Sequence, residues 1–274
     1  MSESGKTVAI SPFRKLVIDF MHLGNTLPGV TLDRRMNLAP LVRARYDCRV
    51  RPKWTSLMIK AYSIVAARRP VLRRSYMTFP WARFYEHSRS IASVNVARRV
   101  GDEDIVLQAL IKSPESRSLI EIDDILRHHM ETPVAELDCY VRARRLSLVP
   151  SPFRRFIMWA ALNVIGRQRC QNFGTFGITS VAEQGAGVLN VPLMGTSLLH
   201  YGLMDDEGSL DVRLAFDHRV LDALPAAQAL AELEDVLLGE ILEEVEALPL
   251  GALRPVVLPP ALAELEPIAV AAIA

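Results

Sequence analysis

The sequence predicts an α/β domain in which strands and helices share one core. Residues 210–216 alternate apolar with more polar side chains, and this alternation is the period of a half-buried strand. In residues 224–238 the apolar side chains instead recur every three or four positions, which predicts a helix whose buried face carries Ala227, Leu230, Leu233, Val236 and Leu237. Residues 54–69 show the same helical spacing and end at Pro70, a residue type that stops helices. The chain therefore contains both kinds of element, each with a length typical of a globular domain.

The remaining elements follow from local patterns along the chain. Ser11 and Pro12 have the residue types of a helix N-cap and a first helical position, which predicts a helix reaching residue 23. A capped apolar repeat predicts a helix at 118–129. Strand-like runs occur at 30–38, at 103–110 and twice within 79–96. A loop is predicted at 184–187, and a hairpin for 196–204 and 208–216 with its turn at 205–208.

Composition limits the classes of function. Half of the 274 residues are hydrophobic, which is enough for one large core or two modest ones. The formal net charge of +1 gives no global field, so no nucleic-acid partner is expected. Cys48, Cys139 and Cys170 are far apart and lack a metal-ligand spacing, so we expect free thiols, no metal and a cytoplasmic location. The sequence also lacks a secretory signal pattern and an apolar run long enough to span a bilayer.

His218 is the residue best placed for catalysis, because it lies between the predicted strand and the helix that follows. Strand ends hold side chains on a rigid scaffold where a ligand can reach them. An imidazole has an ordinary pKa of about 6.5, so it can act as a general base near neutral pH. A histidine at a strand end is also commonly a packed or surface residue, and spacing alone leaves both interpretations open. Asp222 follows four residues later, where it can fix the histidine loop or cap the helix.

The segment Phe-Asp-His-Arg-Val-x-Asp at 216–222 closely resembles the signature of the catalytic domain of 2-oxo acid dehydrogenase acyltransferases. Two further motifs occur in the family's order, Ser-Pro-Phe-Arg-Lys at 11–15 and Gly-Thr-Phe at 174–176. The resemblance covers roughly residues 10–130 and 171–245. It implies a chloramphenicol acetyltransferase-like fold, in which a mixed sheet has helices packed on one face. A catalytic domain at 1–250 would then be followed by a Pro/Ala-rich tail at 251–274.

The resemblance also implies a reaction. In the family a histidine removes a proton from a thiol or hydroxyl, which attacks the thioester of an acyl-coenzyme A directly, and His218 matches this base. Asp222 matches an acidic position, for which Arg14 is the implied partner in a loop-fixing ion pair. Thr179 matches the hydroxyl donor to the oxyanion, with Ser180 as the alternative, because adjacent strand residues face opposite sides. Coenzyme A is thus the implied cofactor, whereas its binding residues and the acyl acceptor stay unassigned.

Several residues depart from the family pattern. Ala223 and Val191 replace a glycine and an asparagine, and His200 stands where glycine is usual. His200 is either a packed strand residue or a second polar group near the site. The largest departure is an insertion at about 133–170, whose apolar stretch at 156–165 is predicted to be helical. This helix can pack on the domain, cover a pocket or an acyl chain as a lid, or lie at a membrane surface.

The absence of a lipoyl-lysine motif predicts no lipoyl group on this chain. We therefore expect an acyltransferase that acts alone or with a lipoyl-bearing partner chain. The family implies a homotrimer in which base and oxyanion donor come from different subunits. A non-catalytic trimeric scaffold and a membrane-associated lipid acyltransferase are the alternative functions; the departures at 191 and 223 favour the former and the insertion the latter. Retention of His218, Asp222, Arg14 and Thr179 together favours the enzyme, since a scaffold needs none of them.

Overall fold

A six-stranded sheet forms the centre of the chain in a computed structural model, which describes residues 5, 7, 9–179 and 192–250. Its strands, in spatial order, are β1 (Gly29–Asn37), β8 (Ser209–Asp217), β7 (Ser197–Tyr201), β6 (Phe176–Thr179), β4 (Ile91–Val100) and β5 (Glu103–Lys112). The neighbours β7, β6 and β4 run parallel, and every other pair in this sheet is antiparallel. The sheet is therefore mixed, as expected. A separate hairpin pairs β2 (Arg74–Met77) with β3 (Arg83–Glu86).

Five helices cover one face of the sheet and form the main core. They are α2 (Ala39–Asp47), α3 (Trp54–Arg68), α4 (Leu119–Glu131), α8 (Ala223–Leu238) and α9 (Glu240–Glu246). Fully buried residues of α3, such as Leu57 and Tyr62, meet strand residues such as Phe176 and Leu214 in a single apolar cluster. Burying such side chains is the dominant favourable contribution to folding, so this face fixes the sheet on which the candidate site is built.

On the opposite face, the described residues that cover the sheet are those of α1 and the insertion, which lie at β4 and β5. The insertion forms three helices, α5 (Asp138–Ser147), α6 (Ser151–Asn163) and α7 (Gly166–Phe173), beside α1 (Pro12–Gly24). The expected helix at 156–165 therefore exists, but it begins earlier and ends at Asn163, because Ile165 already caps α7. The fold class is confirmed, and the insertion adds a partial second helical layer to it.

Local sequence signals account for most element boundaries. The Ser11 hydroxyl accepts a hydrogen bond from the Arg14 backbone N–H, which is the expected cap of α1. At the start of α4, Ser118 and Glu121 form a reciprocal capping box. Gly208 has a positive φ of 79° in the turn before β8, a conformation that glycine adopts without strain. One detail was wrong: Ala227 is exposed on α8, and Ala226 takes its place in the core.

Several sequence predictions lie outside the described residues, namely those for Ser180, the loop at 184–187, Val191 and the tail at 251–274. Among the described residues, no helix combines the length and apolar character needed to cross a bilayer. Cys48, Cys139 and Cys170 are free thiols, as expected.

A buried ion cluster attaches the insertion to α1. The Asp19 carboxylate is almost fully buried and accepts from Arg154 Nε at 2.5 Å and from Arg155 Nε at 2.6 Å. Arg154 is equally buried and also donates to the backbone carbonyl of Val149. Burial alone would raise the pKa of Asp19, but the hydrogen bonds from Arg155 and Arg154 hold it below its ordinary value. The carboxylate therefore stays charged and holds α6 against α1.

His87 makes the stability of this fold depend on pH. Its ring is buried, and Nε2 lies 2.9 Å from the Ser75 hydroxyl. Burial, together with the nearby charges of Arg169 and Arg73, lowers the pKa of His87 to about 4. The unfolded chain would bind this proton below about pH 6.5, whereas the folded chain binds it only near pH 4. Stability contributed by neutral His87 is therefore present above pH 6.5 and lost as the pH falls toward 4.

We expect His87→Gln to flatten this pH dependence, because glutamine does not titrate. The free energy of unfolding of the wild type should fall by on the order of 3 kcal/mol between pH 7 and pH 4 through His87 alone. Buried His200, whose pKa is also lowered by burial, adds a loss of the same sign. Urea denaturation at several pH values measures the effect. His22→Gln, at an exposed position on α1, is the control and should keep the wild-type profile; an unchanged profile in His87→Gln would contradict the assignment.

Candidate functional site

His218 follows β8 directly and lies in a short loop that ends at α8. Its backbone N–H donates to the Pro28 carbonyl at 3.1 Å, which anchors the loop to the segment between α1 and β1. Its side chain is 47% exposed, so the imidazole is open to a reactant. The ring meets Phe216 at a centroid distance of 6.0 Å in an edge arrangement. The loop thus combines a fixed backbone with an accessible ring.

Asp217 holds the loop from within the protein. Its carboxylate is 1% exposed and accepts two hydrogen bonds from the Arg219 guanidinium, at 2.9 and 2.7 Å, in a bidentate pair. The Arg219 backbone N–H donates to the same carboxylate at 3.1 Å. The guanidinium also stacks over the Tyr76 ring at 4.7 Å. These contacts restrain the residues on both sides of His218.

Arg169 of α7 adds a second cation near Asp217. Its guanidinium is fully buried and donates to the backbone carbonyls of Tyr76 and Met194 at 2.8 and 3.2 Å. Burial lowers the pKa of Arg169 to about 10, and the Asp217 charge opposes that shift. The side chain therefore remains charged at neutral pH. Through Arg169, the insertion contributes to the surroundings of the histidine loop.

Asp222 faces His218. Its Oδ1 lies 3.5 Å from the His218 Nδ1, and its side chain is 83% exposed. Asp222 stands at the N-cap position of α8, yet its side chain makes no capping hydrogen bond, so the simple capping interpretation does not describe it. With Nδ1 directed at this carboxylate, Nε2 is the nitrogen left to accept a proton.

The expected ion pair between Arg14 and Asp222 is absent from the described contacts. Arg14 is exposed on the first turn of α1, and this end of the helix is tied to β5 by a hydrogen bond from Ser11 to Glu103. The other end of α1 leads to Pro28 and the histidine loop. Thirteen residues of helix span about 20 Å, so the geometry of α1 keeps Arg14 away from Asp222 within one chain. The contact prediction was wrong for this reason.

Thr179 ends β6 with a buried hydroxyl. The residue is 2% exposed, and its Oγ1 has no hydrogen-bond partner among the described residues. Burying a hydroxyl without a partner costs roughly 1–3 kcal/mol, so most proteins avoid the arrangement unless a ligand or water meets the group. Thr179, the residue that the resemblance matches to the oxyanion donor, is thus a buried hydroxyl without a described partner.

Thr179 belongs to a row of polar side chains on the second face of the sheet. It pairs with His200 of β7, which pairs with Arg213 of β8, which in turn pairs with Asp33 of β1. Arg213 Nε donates to Asp33 at 2.5 Å. Burial lowers the pKa of His200 and the Arg213 charge adds to that shift, which favours a neutral imidazole. His200 is therefore a polar neighbour of Thr179 as well as a packed strand residue.

The sheet separates His218 from Thr179. Thr179 is in register with Arg213, whereas His218 lies five residues further along the chain, directly after the end of β8. At about 3.3 Å per residue this is roughly 16 Å along the strand, and two strand spacings of about 4.8 Å separate β6 from β8. No single reacting atom can lie near both groups in one chain, as the family resemblance implies for a site shared between subunits.

Solved structures share this fold. No family model matches the chain, and no curated protein matches its sequence. A probable dihydrolipoamide acetyltransferase from Listeria monocytogenes is 17% identical, with a TM-score of 0.58 over 86% of this chain and 95% of that one. A catalytic core of the 2-oxoacid dehydrogenase multienzyme complex from Thermoplasma acidophilum is 18% identical, with a TM-score of 0.57 over 85% and 98%.

A third similar structure is the dihydrolipoamide acetyltransferase of Azotobacter vinelandii, which is 16% identical with a TM-score of 0.57 over 86% of this chain and 93% of that one. That structure comes from an investigation of a serine, a histidine and an asparagine in the enzyme's catalytic mechanism. Identities this low establish the architecture. The chain has the fold of the acyltransferase catalytic cores of 2-oxo acid dehydrogenase complexes.

Proposed function

We propose that the protein is a coenzyme A-dependent acyltransferase. The observation that carries the proposal is the buried Thr179 hydroxyl, which has no hydrogen-bond partner among the described residues and is of the type that donates to an oxyanion. An accessible imidazole, His218, occurs on the same fold with one nitrogen directed at a carboxylate. In the Azotobacter enzyme the investigated histidine and asparagine are four positions apart, the same spacing as His218 and Asp222.

The reaction assigns a step to each group. His218 Nε2 removes the proton from the acceptor thiol or hydroxyl, and that sulfur or oxygen forms a bond to the thioester carbonyl carbon. The carbonyl oxygen becomes an oxyanion, which accepts a hydrogen bond from Thr179 Oγ1. When the intermediate collapses, the carbon–sulfur bond breaks and the coenzyme A thiolate takes the proton from the imidazolium. Asp222 orients the ring and stabilises its charged form, so the acyl group moves directly without an acyl-enzyme.

The active site would be shared between subunits. Because His218 and Thr179 lie too far apart within one chain, the proposed reaction needs a second copy to supply the missing group. Part of the second face of the sheet, around Arg213 and Asp33, is half-buried to exposed and leaves room for such a neighbour. We infer a homotrimer, as in the resembled family, with Thr179 of one subunit facing His218 of the next.

Mixing two inactive variants tests the shared site. We expect His218→Ala and Thr179→Ala to be inactive alone, whereas mixed trimers regain activity, since some interfaces then carry both intact groups. Random mixing at equal amounts places both groups at one interface in four, so about one quarter of the wild-type rate is expected. The assay is transfer from acetyl-coenzyme A to a dithiol, after subunit exchange, with light scattering to size the assembly.

A double variant provides the control. Protomers carrying both His218→Ala and Thr179→Ala, mixed with either single variant, offer no interface with both groups and should stay inactive. Full activity from a monomer would contradict the shared site. A wild type that transfers no acyl group from any acyl-coenzyme A would favour the non-catalytic scaffold, the second candidate, which the missing Arg14–Asp222 pair supports.

A further inference from the structure

A cavity lies between the insertion and the sheet. Its volume is about 330 Å³, it is partly open to solvent, and it is bordered by α1, α5, α6, α7 and the second face of β4 and β5. Most of its lining is apolar, as these residues show: Leu16, Phe20, Leu110, Leu146, Met158 and Phe173. Protein interiors contain few voids larger than a water molecule. A space of this size, walled by helices that the insertion supplies, is therefore suited to a ligand.

The polar end of this cavity adjoins Thr179. Asn95 of β4 and Gln108 of β5 form a directly opposed pair and both line the cavity. Val94 of β4 pairs with Ile178 of β6, and both side chains point into the main core. The next residues along the two strands are Asn95 and Thr179. Because side chains alternate between faces along a strand, both of these point to the opposite face. Adjacent strands are about 4.8 Å apart. The polar row containing Thr179 therefore continues into the cavity floor.

We propose that this cavity binds the acyl chain of the donor thioester. This inference rests on the proposed function, because it places the thioester carbonyl at Thr179. From there the hydrocarbon tail extends over Asn95 and Gln108 toward the apolar side chains of α1, α5 and α6. The volume is about twice that of a ~150 Å³ cavity known to hold benzene, which corresponds to a tail of roughly 8–12 carbons. The substrate class is thus a medium-chain acyl-coenzyme A.

A chain-length series tests the proposal. Each buried methylene should improve kcat/KM by about four-fold, so we expect the wild-type values for acyl-coenzyme A to rise up to about 8–12 carbons and then fall. Ala143→Phe places a ring in the cavity from α5, and should lower the ratio of decanoyl to acetyl turnover at least ten-fold. Leu146→Ala enlarges the cavity and should shift the optimum to longer chains. Ala135→Phe, at an exposed position before α5, is the matched control and should change neither.

Direct binding separates this inference from the proposed function. Octanamide binding to the wild type and to Ala143→Phe is measured by calorimetry, without any reaction. Turnover with a flat chain-length profile in all variants would overturn the acyl pocket and leave the acyltransferase intact. Octanamide binding that Ala143→Phe abolishes, in a protein that transfers no acyl group, would support the apolar pocket and overturn the proposed function. A protein that shows neither acyl transfer nor octanamide binding would overturn both the acyl pocket and the proposed function.

Discussion

Replacing His218 by alanine is expected to lower kcat for acyl transfer by about 10²–10⁴-fold, the usual contribution of a general base. The fold should be unaffected, because the side chain is 47% exposed and the Pro28 carbonyl is bound by the backbone N–H, which alanine keeps. Without the imidazole, an acceptor thiol must lose its proton to water before it attacks. The loss should therefore fall on kcat, with little change in KM for the acyl donor.

Steady-state kinetics with wild type and His218→Ala measures this loss. His22→Ala, an exposed histidine on α1, is the control and should leave kcat unchanged. Thermal unfolding shows whether the variants remain folded. A His218→Ala protein that retains wild-type kcat would contradict the role assigned to the imidazole, and with it the general-base mechanism.

Arg154→Ala is expected to lower the free energy of unfolding by about 3–5 kcal/mol, the usual cost of removing one partner of a buried ion pair. The variant leaves the Asp19 carboxylate, which is 1% exposed, with one cation instead of two. It also removes the donor to the Val149 carbonyl before α6. The inserted helices should consequently detach from α1 first, since this cluster joins them.

Urea denaturation measures the effect, and Arg155→Ala is the matched control. Arg155 donates to the same carboxylate but is 43% exposed, so its removal should cost on the order of 1 kcal/mol. Equal losses in free energy of unfolding for the two variants would show that burial of the arginine does not determine how much each ion pair stabilises the fold. A second comparison uses the double variant Asp19→Asn/Arg154→Ala. Its loss in free energy of unfolding should be smaller than the sum of the two single losses, because both substitutions remove the same ion pair.

The strands and helices of the main core could be predicted from the sequence because each has a clear period. The alternation at 210–216 and the helical repeat after Leu224 both reflect one buried face, and the structure confirms both. The spacing of His218 and Asp222 likewise predicted that both side chains belong to one loop. Residues four positions apart in a short strand-to-helix loop lie close together, and residues 218–222 form such a loop. These are local consequences of the chain, so a single sequence contains them.

Contacts between distant segments could not be predicted in the same way. The orientation of α1 depends on Asp19 meeting Arg154 from an insertion 135 residues away, and no local pattern indicates that pair. The Arg14–Asp222 prediction came from the resemblance, and it was wrong because the orientation of α1 in this chain keeps Arg14 away from Asp222. The sequence analysis did not identify Arg169 as a cation near Asp217. Arg169 lies in the insertion, for which the resemblance offers no counterpart, and the local sequence does not show whether an arginine is buried or exposed.

The order of the strands has a consequence for synthesis of the chain. Among the described strands β1 pairs with β8 alone, and Asp33 and its partner Arg213 are 180 residues apart in sequence. At about 5–20 residues per second, roughly 9–36 s pass on the ribosome before this partner exists. A strand whose partner has not yet been synthesised is prone to pair with other chains. The consecutive charges of Asp33, Arg34 and Arg35 oppose such pairing, so the residues that line the edge of the folded sheet also protect the nascent chain.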